Sequence, residues 1–465
     1  MTYAFSFDAS ACSGCKTCQE ACKDKNRLAE GILWRRVVEI SGGEWQTSGS
    51  AWENNIFAYY ISIACNHCTH PKCAGVCPTD AYTVRPDGIV LLDTSRCIGC
   101  GYCAWACPYG APQYDAARGI MTKCDFCYDN LDAGLPPSCV AACPLRVLDY
   151  ATIENLWPIE DKRNLWQLPA SEHPFPLPDY SRTEPNLAIK LHPAMNFPLE
   201  KTVSNREEIH PPQTGENNHG ITAFSELPLV AFTLLTQMAV GIAALSLSLS
   251  TIPLAVMLSI GMLLIMGGSV SLLHLGMKRN AWGAVTHLKK SWLSREILML
   301  ILIGIAWAVT AVMKEVWHTD LTPWPMALLG IGLIYCMSRV YLLRSVPGWN
   351  TWRTPVAFSL SAIVLGALGV RLEAPLPGLA FLAVFAMAAE MIMALTAKPV
   401  TNTFASWLRV ALLGMGILGL LLAAGYPQVI GGWLAILVFI IVLASEIIGR
   451  WQFYALRMPF PASPK

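Results

Sequence analysis

Sixteen cysteines lie in four short runs between residues 12 and 143, and their spacing is suited to iron–sulfur chemistry. Each run begins with CxxC and ends with CxxxC. In the bacterial ferredoxin run CxxCxxCxxxCP, three thiolates hold one cluster and the fourth binds the other cluster of a pair. At four ligands per cluster, the sixteen thiols predict four [4Fe–4S] clusters. The predicted metal ligands are Cys12, Cys15, Cys18, Cys22, Cys65, Cys68, Cys73, Cys77, Cys97, Cys100, Cys103, Cys107, Cys124, Cys127, Cys139 and Cys143.

Zinc is the alternative metal, because it also binds four thiolates from CxxC pairs. Zinc sites combine two separated pairs, whereas the runs here crowd their thiols, so the spacing favours iron. The first run departs from the ferredoxin pattern at one position, since Lys23 rather than proline follows Cys22. The seventeenth cysteine, Cys336, stands alone in an apolar segment and is predicted to pack there.

The sequence around the cysteines predicts short strands and helices. We expect strands at residues 3–8, 57–63 and 88–93, which are rich in aromatic and β-branched residues, and helices after the cysteine runs. This pattern predicts a duplicated ferredoxin-like domain of the α+β class. Four clusters leave little room for a substrate pocket, so we interpret residues 1–195 as an electron-transfer domain without catalytic residues.

The composition argues against several classes of protein. A net charge of +1, with no basic tract interleaved with aromatic residues, gives no indication of nucleic-acid binding. Residues 1–20 contain neither a charged start followed by an apolar run nor a twin arginine, so no export signal is expected. A disulfide framework is therefore not expected either.

The second half of the chain is apolar and predicts an all-α membrane domain. A proline-rich linker is assigned to residues 196–222, and the membrane domain to residues 223–465. Within that domain, eight stretches are long enough to cross a hydrocarbon core of ~30 Å as helices. They lie near residues 226–249, 251–274, 293–313, 324–343, 355–371, 376–397, 405–424 and 427–448.

Lysine and arginine are unevenly distributed between the two ends of these spans. Eight spans return the chain to the side from which it entered, and on the opposite side only Lys314 and Arg371 are expected. By the positive-inside rule, the iron–sulfur domain is predicted on the cytoplasmic side. The thirteen cations on the domain's side are Lys278, Arg279, Lys289, Lys290, Arg295, Arg339, Arg344, Arg353, Lys398, Arg409, Arg450, Arg457 and Lys465.

Ionisable side chains in the spans are candidates for function, because burying them in lipid is costly. His274 ends the second span and Glu296 opens the third, both on the cation-rich side. His274 could instead be an interfacial histidine bonded to a carbonyl, and Glu296 could pair with a cation at the rim. Glu446 and Arg450 lie four residues apart on one helix face and predict an ion pair, whereas the sequence shows no partner for Glu390.

Long segments of the chain are similar to known proteins. The segments CSGCKTCQEACKDKN, FAYYISIACNHC, CIGCGYCAWACPYGAPQY and MTKCDFCYDNLDAGLPPSCVAACPLRVLDY resemble the iron–sulfur subunit of bacterial dimethyl sulfoxide reductase, over nearly all of residues 1–195. HLG (274–276), SREI (294–297), RVY (339–341), VPGWNTWRTP (346–355) and EIIGR (446–450) resemble the anchor subunit of the same enzyme. The chain therefore resembles the two subunits fused end to end.

The resemblance implies how the clusters share their ligands, because in this family the outer two motifs pair with each other and so do the inner two. The implied ligand sets are Cys12, Cys15, Cys18 and Cys143; Cys22, Cys124, Cys127 and Cys139; Cys65, Cys68, Cys73 and Cys107; and Cys77, Cys97, Cys100 and Cys103. We call the first two sets the outer pair and the last two the inner pair.

The resemblance also implies a substrate and a partner. The family's anchor oxidises menaquinol without haem, and its quinol-site histidine and glutamate correspond to His274 and Glu296. Arg295, Arg339 and Tyr341 complete the candidate quinol site. Electrons in this family pass to a molybdopterin catalytic subunit, for which the sequence has no segment. These complexes work in the bacterial inner membrane during anaerobic respiration. Their catalytic subunits commonly carry twin-arginine export signals, so a periplasmic location of the iron–sulfur domain remains an alternative.

Two alternatives remain at this point. The same module could serve a polysulfide, tetrathionate or selenate reductase, or a dehydrogenase that runs the electrons in the opposite direction. A protein of another class, an ion-translocating membrane protein with a ferredoxin regulator, would need a chain of acids or lysines across the spans. Only Glu390 lies deep in a predicted span, which disfavours that class.

Overall fold

The computed structural model describes two compact units, which fall within residues 1–193 and 226–456. The predicted linker at residues 196–222 lies outside the described residues, as do Lys398, Arg457 and Lys465. The residues that the structure describes are 1–43, 45–49, 51–156, 183–190, 192–193, 226–249, 251–319, 322–374, 376–396, 403–425 and 432–456.

The first unit is made of short strands and helices, and the predicted α+β class is confirmed. Its strands are β1 (Tyr3–Asp8), β2 (Arg36–Gly42), β3 (Trp45–Ser48), β4 (Ala51–Asn54), β5 (Phe57–Ile63), β6 (Tyr82–Val84), β7 (Val90–Leu92), β8 (Gln113–Asp115), β9 (Ile120–Thr122), β10 (Leu148–Thr152) and β11 (Leu187–Lys190). Its helices are α1 (Thr17–Asn26), α2 (Lys72–Val76), α3 (Tyr102–Ala106), α4 (Tyr128–Asp132), α5 (Ser138–Ala141) and α6 (Ile153–Leu156).

Strand β1 is the centre of a three-stranded sheet that joins distant parts of the chain. It pairs antiparallel with β10 and parallel with β11, so that Phe5 lies opposite both Tyr150 and Leu187. The predicted strands at 3–8 and 57–63 match β1 and β5. The third is shorter than predicted, because Gly88, with a φ of 81°, belongs to the turn before β7.

The second unit contains eight long helices among its described residues, each of 18 residues or more, and every predicted span falls on one of them. They are α7 (Leu227–Leu245), α8 (Leu254–Leu273), α9 (Trp292–Trp317), α10 (Trp324–Tyr341), α11 (Arg353–Glu373), α12 (Pro377–Thr396), α13 (Thr403–Gly425) and α14 (Gly432–Ala455). Seven of them are long and apolar enough to cross a membrane, while α10 is the shortest, with 18 residues. The chain is thus a multi-pass membrane protein.

Helix α7 is the most buried of these spans, and it packs against α8, α10, α11 and α14. Gly241 of α7 and Gly366 of α11 face one another so closely that a Cβ atom on either would overlap the backbone of the other helix. Small residues let helix backbones approach in this way inside a bilayer. The contact brings α7 and α11 close together, and these two helices carry the polar side chains Gln237 and Ser361 described below.

Candidate functional site

The four cysteine runs share one backbone feature. In each run the residue two positions after the first cysteine has a positive φ: Gly14 (70°), His67 (43°), Gly99 (69°) and Phe126 (66°). A left-handed residue at such a position turns consecutive N–H groups toward one concave side, a geometry that recurs at anion and Fe–S sites. The repeated φ therefore fits a loop that wraps an anionic cluster.

Two of these four positions are not glycine, and a left-handed backbone is unfavourable for residues with a Cβ atom. Packing holds both in place. His67 is fully buried, and its Nδ1 accepts the N–H of Val90 at 3.0 Å. Phe126 is also buried and stacks on Phe5, with the ring centroids 4.0 Å apart.

Backbone N–H groups point at several of the sulfur atoms. Cys97 Sγ accepts from the N–H groups of Gly99 at 3.3 Å and Met121 at 3.4 Å, and Cys124 Sγ accepts from Phe126 at 3.4 Å. Hydrogen bonds to the sulfurs are one of the means by which a protein sets the potential of an iron–sulfur cluster.

Thiols from the first and fourth runs meet in the first unit. Burial raises the pKa of Cys12, and the nearby thiols of Cys18, Cys15 and Cys143 add to that rise. Helix α1, which carries Cys18 and Cys22 of the first run, packs against α5, which carries Cys139 of the fourth. The structure thus brings Cys143 to the three cysteines at the opposite end of the motif series.

The trailing cysteine of the first run lies among thiols of the fourth. Burial raises the pKa of Cys22 to about 12, and the thiols of Cys139 and Cys127 contribute. Cys124 likewise interacts with Cys22, after the larger effect of its own burial. These neighbours are the second ligand set of the outer pair, although cluster binding by that set stays a prediction.

The second and third runs meet in the same manner, and α2 packs against α3. Cys65, Cys68, Cys73 and Cys107 line one cavity, together with the buried Lys123.

The remaining four thiols also lie together. Burial raises the pKa of Cys100 to about 12, and the thiols of Cys77 and Cys97 add to the rise. Cys103 interacts with the same three sulfurs.

These sulfurs fit a multinuclear cluster better than a single ion. Four thiolates around one zinc ion stand about 3.8 Å apart, given a Zn–S distance of about 2.3 Å. In the described part of the chain, no group of three or more His, Cys, Asp or Glu side chains is placed to hold one metal ion. Burial opposes thiolate formation, so these sulfurs would bind as thiolates only beside a cation, and an iron–sulfur core would supply that charge.

In the second unit, the two residues predicted from position lie near further acids and phenols. His274 follows α8, and its Nδ1 stands 3.9 Å from Oε2 of Glu226, a buried residue that precedes α7. That distance exceeds a hydrogen bond but allows attraction when the imidazole is protonated. Glu226 was not among the residues predicted from the sequence.

Glu296, near the start of α9, is 3 % exposed, and within the described residues its Oε1 has no hydrogen-bond partner. The predicted alternative, a pair with a rim cation, does not appear among the ion pairs of the described residues. Glu296 interacts electrostatically with Tyr341 and Tyr454, whose hydroxyl oxygens are 2.6 Å apart. Tyr454 also interacts electrostatically with Glu226, so both buried carboxyls lie within electrostatic range of the tyrosine pair.

The two arginines of the candidate quinol site flank one indole. The guanidinium carbons of Arg295 and Arg339 lie 4.2 and 4.9 Å from the ring centroid of Trp292. Arg295 also donates to the carbonyls of Leu288 and Lys289, at 2.8 and 2.7 Å. Positive charge is thereby fixed where α9 begins and α10 ends.

A row of polar residues extends along α14 from Tyr454. Arg450 donates to Gln237 at 2.7 Å and to the hydroxyl of Ser361 at 3.3 Å, and Ser361 donates to Glu446 at 2.6 Å. The predicted pairing of Glu446 with Arg450 is therefore mediated by a serine from α11.

Glu390, for which the sequence showed no partner, lies 3.5 Å from a guanidinium nitrogen of Arg409 on α13. Cys336 is buried in α10, as predicted.

The sequence carried weak signals for the residues that were missed. Glu226 is a single acid at the first position of the first predicted span, and Tyr454 lies four residues after Arg450 and eight after Glu446. Residues at this spacing share one helix face. A search for polar residues on one face of each span would have found Tyr454.

Comparison with known proteins assigns both halves of the chain. Residues 56–153 match the family model of the 4Fe-4S dicluster domain, and residues 221–396 match that of the DMSO reductase anchor subunit (DmsC). The B subunit of anaerobic dimethyl sulfoxide reductase from Escherichia coli K12 is 48% identical over 188 residues, which are 40% of this chain and 88% of the relative.

Two further relatives match the same half. The corresponding B subunit from Haemophilus influenzae is 50% identical over 189 residues, covering 40% of this chain and 88% of that protein. The formate dehydrogenase iron-sulfur subunit of Wolinella succinogenes is 38% identical over 166 residues, covering 31% and 78%. The chain belongs to the dimethyl sulfoxide reductase family, as an iron–sulfur subunit joined in one polypeptide to a membrane anchor.

Proposed function

We propose that this chain takes electrons from menaquinol and passes them through four [4Fe–4S] clusters to a molybdopterin catalytic subunit. The observation that carries the proposal is the meeting of thiols from distant runs, as when Cys143 joins Cys12. Paired ferredoxin motifs share their ligands in this way. The sixteen thiols in four such groups support four clusters.

The relatives support a separate catalytic partner. Two relatives are named as the B subunit of a reductase and the iron-sulfur subunit of a dehydrogenase. Each name describes one component of a larger complex. A partner that carries the substrate site completes the proposed complex.

When bound, the clusters supply one-electron transfer between a two-electron donor and a two-electron acceptor. The chain's own residues hold the metal through their thiolates, direct N–H groups at the sulfurs and keep water away by burial. These are the means by which a protein tunes such a cofactor.

At the quinol end, we assign proton transfer to the buried acids. Oxidation of a quinol releases two electrons and two protons. Glu296 is proposed to accept one proton at Oε1, and His274 to pass the other through Nδ1 to Oε2 of Glu226. Arg295 and Arg339 supply positive charge where α9 begins and α10 ends, and this charge favours the ionised form of the carboxylates before they accept a proton.

The distribution of lysine and arginine supports a cytoplasmic iron–sulfur domain in a bacterial inner membrane. The formate dehydrogenase relative favours a second candidate, in which electrons run from a dehydrogenase partner to quinone. The substrate of the co-purifying partner distinguishes the two directions.

Anaerobic purification of the full chain with its partners tests the proposal. We expect about sixteen irons per chain, a co-purifying molybdopterin protein, and reduction of the iron centres by a menaquinol analogue. Zinc in place of iron, or a colourless protein, would overturn the cluster assignment. A His274→Ala chain with full iron content that oxidises menaquinol at the normal rate would overturn the assignment of the quinol site.

A further inference from the structure

Arg35 is a buried cation without a carboxylate partner among the described residues. It is 2% exposed, and its Cζ lies 4.5 Å from the ring centroid of Phe5. Nη1 donates to the hydroxyl of Ser62 at 3.2 Å, whereas Nε and Nη2 have no hydrogen-bond partner in the described structure. A guanidinium removed from water is unfavourable unless an anion compensates it.

The groups around Arg35 that would become anionic as cluster ligands are thiols of the outer pair. Its guanidinium interacts electrostatically with Cys139, Cys124, Cys18 and Cys22. Its backbone N–H donates to the sulfur of Cys22. The same Ser62 hydroxyl that accepts from Arg35 lies 3.4 Å from the sulfur of Cys18. Arg35 therefore lies beside thiols of both ligand sets, next to Cys22 through its backbone and next to Cys18 through Ser62.

A cubane with four thiolate ligands is an anion in both oxidation states, and each electron it accepts adds one negative charge. A fixed cation nearby favours the reduced form, since the attraction increases with that charge. Burial strengthens the effect, because water does not screen it.

We propose that Arg35 is the counter-ion of the outer cluster pair and raises the reduction potential of a cluster in that pair. This inference rests on the proposed four-cluster function. The electron that this cluster accepts comes from the proposed quinol and is passed on to the next cluster. Arg35 acts only through its charge and undergoes no chemical change.

The next residue offers a matched comparison. Arg36 begins β2, and successive residues of an extended chain point to opposite faces. Its Nη2 donates to the carbonyl of Tyr109 at 2.7 Å, and the guanidinium interacts with Cys107 of the inner pair. The two adjacent arginines thus lie near different ligand sets, Arg35 near thiols of the outer pair and Arg36 near a thiol of the inner pair.

Redox titration of the full-length chain, followed by electron paramagnetic resonance, tests the proposal. The two outer signals are identified separately, one as the signal lost in Cys143→Ala and the other as the signal lost in Cys22→Ala. In Arg35→Gln we expect full iron content and a lower midpoint potential for an outer signal. The one-electron reduction equilibrium constant should fall tenfold or more, which corresponds to a decrease of about 59 mV or more. Arg35→Lys keeps the charge and should shift less, whereas Arg36→Gln should move an inner signal.

Unchanged midpoints in Arg35→Gln at full iron content would overturn the proposal, as would equal shifts in Arg35→Lys and Arg35→Gln. Loss of iron from the outer pair alone in Arg35→Gln, with retention in Arg35→Lys, would support it. Loss from all clusters in both variants would overturn it in favour of a general role in folding. A wild-type chain without four clusters would instead contradict the proposed function itself.

Discussion

The two units carry their functional groups in opposite ways. The iron–sulfur unit repeats one loop four times, each with a left-handed residue two positions after its first cysteine. The membrane unit has no repeated motif, and its polar residues come singly from separate helices: Glu296 from α9, Tyr341 from α10 and Tyr454 from α14. A repeated local motif is visible in the sequence, whereas single residues on separate helices become a site only when the helices pack. Substitutions should therefore remove whole cofactors in the first unit and change rates in the second.

The largest expected effect is the loss of a cluster. Cys143→Ala leaves three thiolates for the set that includes Cys12, so we expect about four irons fewer per chain and the loss of one paramagnetic signal. Iron analysis and spectroscopy of anaerobic protein measure both. Cys336→Ala removes another buried cysteine and should keep all the iron. An unchanged iron content in Cys143→Ala would contradict the sharing of ligands between the outer runs.

A smaller effect is expected in the membrane unit. Glu296→Gln removes a proton acceptor without altering side-chain size, so the rate of menaquinol oxidation should fall about tenfold or more, which is about 1.4 kcal/mol in the barrier. Iron content should not change. Glu315→Gln, an exposed position near the other end of α9, is the matched control. Equal rates in the two variants would remove Glu296 from the site.

The smallest effect concerns a surface pair between the first and fourth runs. Lys25 of α1 forms an ion pair with Asp129 of α4, and both side chains are substantially exposed, at 31% and 51%. Such pairs contribute about 0–1 kcal/mol, so Asp129→Asn should lower the free energy of unfolding by less than about 1 kcal/mol at neutral pH. Chemical denaturation of the loaded chain measures the difference.

The pH dependence of that difference has a definite sign. The hydrogen bond from Lys25 lowers the pKa of Asp129, so its contribution is present above the ordinary carboxyl pKa and is lost as the pH falls through the lowered value. Wild type and Asp129→Asn should therefore converge in acid. A difference that grows in acid would contradict this account of the pair.

The fold was predictable where the pattern is local. Alternation and aromatic content gave β1 and β5, and long apolar runs gave all eight long helices, because both signals depend on neighbouring residues. The parallel pairing of β1 with β11 was not predictable, since nothing in either strand specifies a partner so distant in the chain.

The candidate site divides in the same way. Cysteine spacing singled out the sixteen thiols that the structure brings into four groups, whereas the approach of His274 to Glu226 and the bridge of Ser361 between Arg450 and Glu446 depend on how helices pack.

The interleaving of the first and last cysteine runs ties metal loading to protein synthesis. Cys12 emerges from the ribosome early, but its proposed fourth ligand, Cys143, follows only after roughly 10 s at the usual rate of translation. Iron delivered before then would meet incomplete sites. The sixteen cysteines of the four runs nonetheless precede α7, so the proposed clusters can be built into the nascent chain before its first transmembrane helix reaches the insertion machinery.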